Sequence, residues 1–321
     1  MVTEIAEKLV VVEKLHGMSV DFLGELLWYT ISDMRVTREQ LEAAFDEVGV
    51  DHAHLPSPVH YRDAFRRATT NAEVSRLPAG PGRFVNLLVR EVKVTDDEIV
   101  RHLVREVVDA TNVRLEYTPV AALICGKDEQ LLAVRLGPEV GEAERCLVAK
   151  AKAEYLIERS SYNSKNVRDI VTRILKTCAP VSVRPSGGVF FVPATYQDTV
   201  TKLRALVDRL AVFGTNGSRS RVWAVPVIDA QEQREMVAVS LEDQVKADAQ
   251  ALVKEMADKL KSGAKITTAA VERYAERTRS LKHLVGEYKE LLEREMESAE
   301  AGCDLAIQQA IALADHVDTG A

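Results

Sequence analysis

Aromatic residues are scarce in this chain of 321 residues, at 5 %. A run of about 18 apolar residues, the length a membrane-spanning helix needs, occurs nowhere in it. With Ala, Val, Leu, Glu and Arg abundant, the few aromatics point to helices around aliphatic cores. The start, MVTEIAEKLVVVEKLHG, scatters charges among its apolar positions. It lacks the basic start and unbroken apolar stretch of a secretory leader, so the expected location is cytoplasmic, with no membrane partner.

Sequence signatures of chemistry are also missing. The four cysteines (Cys125, Cys146, Cys178, Cys303) are widely spaced, with no C-x-x-C pair. They read as buried free thiols in a reducing compartment, not as metal ligands. His52, His54 and His60 crowd into DHAHLPSPVH, but no acidic or sulfur partner stands at a ligand spacing, so the segment reads as a polar interhelix loop. There is no G-x-x-x-x-G-K-[ST], no G-x-G-x-x-G after a strand and no G-x-S-x-G. Asp96-Asp97-Glu98 reads as a helix start, where carboxylates meet the dipole, and Asp128-Glu129 as a turn tip. No catalytic residue, metal or cofactor is assigned.

What is present is patterning. With 46 % hydrophobic and 28 % charged residues the chain is of folded, globular composition. The fold class expected is α+β: an N-terminal helical unit (1–70), a linker (71–83), a central mixed domain with β-hairpins (84–230) and a long C-terminal helical hairpin or coiled coil (236–318). In the first unit, Ser19 is placed to cap a helix carrying Phe22, Leu23, Leu26, Leu27 and Ile31. Thr37 and Gln40 form a capping-box pattern ahead of Leu41, Ala44, Phe45 and Val48, with Gly49 as the stop. A helix after Pro58 carries Ala64, Phe65 and Ala68. Paired short helices suggest a helix-turn-helix, but a plain helical bundle is the favoured reading.

Residues 70–83 lose periodicity around Pro78, Gly80, Pro81 and Gly82 and read as a linker. Beyond them, Phe84–Val94 reads as a strand, and Thr95 to Glu98 as a capping box opening a helix with Ile99, Leu103 and Val107 on one face. Val113–Tyr117 reads as a further strand. VAALIC and LLAVRL flank a hairpin turn at Gly126-Lys-Asp-Glu129. Helices are expected over 141–159, 164–176 and 196–213, a second hairpin around Pro185-Ser-Gly-Gly188, and a strand at Arg221–Ile228. From Ser240 the pattern is helical nearly to the end, broken at Gly263, restarted at Thr267 or Thr268, with Gly302 opening a short last helix. Its drift from a strict heptad leaves packing on the protein's own body as credible as self-association through these helices.

Charge is the strongest functional hint. Residues 1–149 sum to −8 and residues 222–321 to −7, while residues 150–221 hold 13 Lys and Arg against 5 Asp and Glu, giving +8. On the helix over 164–176, Lys165, Arg168, Arg173 and Lys176 project outward while Val167, Ile170, Val171 and Leu175 face a core. Arg184 lies on the glycine hairpin, and Arg219 and Arg221 follow the Gly214-Thr-Asn-Gly217 turn. A helix followed by a basic hairpin resembles the way a winged-helix module meets DNA. The usual strand between its first helices cannot be placed.

The functional expectation is a non-enzymatic, oligomeric binding protein that contacts DNA or RNA through these seven residues. Two alternatives stand beside it. One is a protein-binding scaffold whose basic surface docks on an acidic one. The other is an enzyme with a scattered site.

Overall fold

The computed structural model describes residues 21–127, 132–138, 140–184, 187–215, 217, 219–262, 266–314 and 316. The chain runs β1 (Phe22–Thr30), β2 (Arg35–Thr37), α1 (Arg38–Val48), α2 (Tyr61–Thr70), β3 (Val74–Pro78), β4 (Arg83–Val94), β5 (Glu98–Asp109), β6 (Arg114–Gly126) and β7 (Ala133–Leu136). It continues through α3 (Glu142–Ser160), β8 (Ser161–Asn163), α4 (Ser164–Lys176), β9 (Val181–Ser182), β10 (Phe190–Pro193), α5 (Gln197–Leu210) and β11 (Arg221–Ile228). Three helices follow, α6 (Gln231–Lys261), α7 (Thr268–Leu292) and α8 (Glu297–Ala314). The fold is α+β, in two compact units. One comprises Asp33–Ala43 and Leu55–Val167. The other comprises the segment ending at Ser32, Ala44–His54 and the segment beginning at Arg168.

The unit containing Leu55–Val167 is an antiparallel meander, β3-β4-β5-β6-β7 in sheet order. Helices α2 and α3 cover one face, and Phe65, Leu87, Ile99, Leu103, Leu123 and Tyr155 fill the layer between at 0–1 % exposure. Polar contacts pin the helices over that layer. Arg105 Nε on β5 donates to Glu144 Oε1 at 2.7 Å, and Arg67 Nε on α2 to Glu158 Oε2 at 2.6 Å. Both glutamates are buried, where a carboxylate persists only if its lost hydration is replaced. Arg101 on β5 caps the last turn of α2, donating to the Arg66 carbonyl at 3.0 Å and to Thr70 Oγ1 at 3.1 Å, the favourable end of the helix dipole for a cation.

In the other unit a four-stranded antiparallel sheet has the order β11-β1-β10-β9. Leu23, Phe191 and Val227 from its strands pack with Leu241 and Val245 of α6 and with Val285 and Tyr288 of α7. On α6 the stripe Leu241, Val245, Ala249, Leu252 and Met256 is buried, and α8 packs on both α6 and α7. The apolar stripe of the C-terminal helices is thus buried within this chain.

Several local readings hold. The capping box closes reciprocally: Thr37 N donates to Gln40 Oε1 at 2.9 Å and Gln40 N to Thr37 Oγ1 at 3.2 Å. Gly49 stops α1 at φ +73°, and Thr267 Oγ1 caps α7 by accepting from Ala270 N at 3.3 Å. Strand pairing joins Ala121 to Leu136 and Ile124 to Ala133 in one hairpin, and Phe190 to Ser182 in the other. Residues 128–131, 185–186, 216 and 263, on which parts of the turn readings fall, lie outside the described residues, as does Ser19.

Other readings give way. FLGELLWYT is strand β1, not a helix. Its Leu spacing suits a helix, but a central strand with apolar residues on both faces produces the same pattern. Ile99, Leu103 and Val107 belong to strand β5. A spacing of four satisfies a period of two as well as 3.6, and the β-branched content of EIVRHLVREVVD then decides. The side-chain bond of the supposed capping box does form, Glu98 N to Thr95 Oγ1 at 3.2 Å, but it tightens a hairpin. The 71–83 stretch contains β3 and its turn into β4, with Gly80 at φ +113° and Gly82 at φ +65°. Gly and Pro there mark a tight reversal, not a linker. Helix α6 starts at Gln231, and Gly302 lies inside α8. Cys125, Cys178 and Cys303 are buried free thiols, whereas Cys146 is exposed.

Three measurements check this packing. A Cβ at Gly24 would stand 2.2 Å from the Val192 carbonyl oxygen and 2.7 Å from the Phe191 ring. Gly24→Ala is therefore expected to destabilise the fold by about 3 kcal/mol or more in urea unfolding. Arg105→Met, which strands Glu144, is expected to destabilise it by about 3 kcal/mol. On β1, burial raises the Glu25 carboxyl pKa and Arg204 opposes the shift. A raised folded-state pKa means that wild-type stability falls as pH rises through the carboxylate range. Glu25→Gln is thus expected to melt higher than wild type at neutral pH, with the gap closing below about pH 4.

Candidate nucleic-acid interface

Strand register decides which of the seven basic residues meet. β1 pairs with both β10 and β11, with Leu27 opposite Phe190 and Thr30 opposite Arg221. The end of the sheet where β1 leaves is therefore the end where β10 and β11 enter. Arg184, beyond β9 on the turn leading into β10, and Arg219 and Arg221, at the start of β11, lie at that end. The two edges of the sheet are three strand spacings apart, about 14 Å.

Three hydrogen bonds tie further segments to the same end. Arg168 Nη2 on α4 donates to the carbonyl of Ile31, just past β1, at 2.7 Å. Ser32 N donates to Ser220 Oγ at 3.0 Å, which fixes the approach to β11. Tyr29 and Thr172 meet at 3.2 Å through their hydroxyls, holding α4 along β1. Arg168, Arg184, Arg219 and Arg221 are all exposed, and none of the four forms an ion pair among the described residues. The stem of Arg184 lies against Gly187, where a Cβ would stand 2.3 Å from its Cδ. At the opposite end of the sheet, Asp229 N donates to the Asp21 carbonyl at 2.8 Å, and Arg234 grips the Asp229 carboxylate at 2.6 and 2.8 Å.

The remaining three predicted residues lie elsewhere. Arg173 Nη1 donates to the His54 carbonyl at 2.9 Å and serves the fold. His52 Nε2 meets Asp46 Oδ1 at 2.8 Å. Among the described residues no group of three or more His, Cys, Asp or Glu is placed to hold a metal ion. Lys176 lines a cleft of about 590 Å³ with Tyr196, Gln244, Asp248, Arg277 and Glu287. Lys165, in the first turn of α4, is exposed but belongs to the part of that helix in the other unit.

The hairpin expected as a wing is not free-standing. β10 is bonded to β1 on its other side, and Phe191 is buried. β9–β10 is the border of a packed sheet.

Two further residues beside this sheet end carry no sequence signal of their own. The only tryptophans, Trp28 and Trp223, are register partners on β1 and β11. Their rings stack with centroids 6.4 Å apart and planes at 18°, and the Arg221 guanidinium lies over the Trp223 ring at 4.7 Å. Trp223 is 39 % exposed. Alternation along β11 marks Arg221, Trp223 and Val225 as one face, but nothing in the chain order links that face to Trp28.

Residues 22–318 match the family of unknown function DUF6744. The chain belongs to that family. The match takes in β1, β11 and all four arginines of the sheet end, so this surface lies within the family's shared extent. No curated protein and no solved structure matches the chain.

The cleft, by contrast, holds basic and acidic groups together. Tyr196 donates to Glu287 Oε1 at 2.8 Å, and burial and this bond push the phenol up to about 12. It thus keeps its proton at neutral pH. Arg277 is spanned by the Glu255 carboxylate at 2.7 and 3.3 Å.

Proposed function

We propose that the protein binds nucleic acid through the arginine-bearing end of its four-stranded sheet. The observation that carries this reading is the gathering of Arg168, Arg184, Arg219 and Arg221, from three separate segments, at one sheet end with no carboxylate paired to them among the described residues. A guanidinium fork suits phosphate oxygens, and released counterions supply the affinity. A scaffold whose basic surface is met by its own acidic segments predicts ion pairs at these residues. Arg209, in the same basic segment, does make one, with Glu47 at 2.7 Å. The four at the sheet end do not.

The self-association expected of the C-terminal helices has little surface left to use, because their stripe is buried within the chain. Met236 and Val239 of α6 and Leu305 and Ile311 of α8 stay exposed and are the apolar residues such a contact would use.

The test is fluorescence anisotropy with labelled oligonucleotides over a salt series, with light scattering on the same samples to record oligomeric state. About four phosphate contacts give a log–log salt slope near −3. Arg184→Glu, Arg219→Glu and Arg221→Glu together are expected to abolish binding. A variant of equal net charge, with Lys246, Lys254 and Lys282 each changed to Glu, is expected to bind nearly as wild type. Arg168 is left intact because its bond to Ile31 is structural. Equal loss in both variants, or no binding at low salt, refutes the proposal.

A further inference from the structure

We infer that this surface takes single-stranded nucleic acid, with unpaired bases stacking on the column formed by the exposed Arg221 and Trp223 and the half-buried Trp28. The inference rests on the nucleic-acid reading above and names the ligand class within it. Position supports it first. Thr30 lies opposite Arg221, Trp28 opposite Trp223 and Leu26 opposite Val225, so these side chains share one face of the β1–β11 ladder. Thr30 is exposed, and Trp223 and Val225 are 39 % and 45 % exposed. The column thus continues into further accessible surface along the edge strand.

Chemistry is the second support. A flat indole beside water loses apolar burial that a core aromatic would gain. The planar base of a nucleotide restores it, whereas a duplex keeps the faces of its bases inside its own stack. Stacking on aromatic rings and guanidinium planes is the usual way single strands are held. The third support is charge. Arg168, Arg184 and Arg219 lie at the sheet end where the column begins, so a strand with its bases on the indoles has phosphates within reach of guanidinium groups. Cross-strand tryptophans also strengthen strand pairing, and that role alone requires no ligand.

The protein reports on this site without labelling, because its two tryptophans are the column. The full chain is titrated with a thymine homo-oligonucleotide, with its duplex, and with an abasic strand of equal length and charge. Tryptophan emission and anisotropy are recorded together. Emission is expected to fall with the thymine strand and to stay unchanged with the abasic strand and the duplex. Trp28→Leu and Trp223→Leu are each expected to weaken thymine-strand binding between about 5- and 150-fold, with abasic-strand binding unmoved. Trp28→Phe and Trp223→Phe retain an aromatic face and leave one fluorophore, so each is expected to bind within a few-fold of wild type while emission from the remaining indole still falls. These two keep the test valid where a Leu variant fails to fold.

Equal affinity for all three ligands with unchanged emission overturns the stacking inference and leaves the nucleic-acid reading standing. Absence of binding to any of them at low salt overturns both.

Discussion

One strand organises the unit that carries the candidate interface. β1 is paired on both sides by segments that follow it far along the chain. Without β1, strands β9–β10 and β11 share no ladder, and the helices on the sheet lose the surface they pack on. Being central, β1 must present apolar groups in both directions, so Leu27 is buried while Leu26, of opposite parity, packs against the cluster shared with α6 and α7. It must also come very close to β10, which is why Gly24 stands where any Cβ would strike Val192 and Phe191. Such long-range closure is slow to find and cooperative once made.

The same register makes a surface. Because β10 and β11 both run antiparallel to β1, their starts fall at one end of the sheet. The turns that precede them bring Arg184, Arg219 and Arg221 there. The opposite end holds Asp21 and Asp229. Four basic residues of the +8 block along the chain are thus gathered, in the folded sheet, at one end of β1. β11 is also an edge strand, and Pro226 in it is a residue that edges tolerate and that discourages pairing with another chain. That leaves the face of the strand, not its edge, as the usable surface.

Much of the local structure was legible. Thr37 and Gln40, Gly49, Thr267, the two hairpins, and the limits of α4 and β11 follow from caps, turns and alternation, whose physics lies within a few residues. The failures share a cause. A strand buried on both faces and a helix buried on one give similar spacing of Leu or Ile, so FLGELLWYT and the segment after Thr95 carry patterns that local reasoning cannot divide. Gly80 and Gly82 signal a sharp reversal correctly, but whether the flanking chain is strand or linker depends on partners elsewhere. Of the seven basic residues picked from the charge block, four meet at the sheet end. Arg173 and Lys176 point to other tasks because helix α4 turns them toward a carbonyl and a cleft.

By itself the sequence determined the charge block, the caps and turns, the buried stripes of the C-terminal helices and the absence of a spanning apolar helix, since each depends on composition or short-range spacing. Only the tertiary structure decided that Trp28 and Trp223 are neighbours and that Arg168 reaches Ile31. It also decided that the glycine hairpin is a sheet border and that the C-terminal stripe is buried within the chain. Those outcomes depend on which strand lies beside which, and pairing between distant segments is selected by the packing of the whole core rather than by any stretch of residues within it.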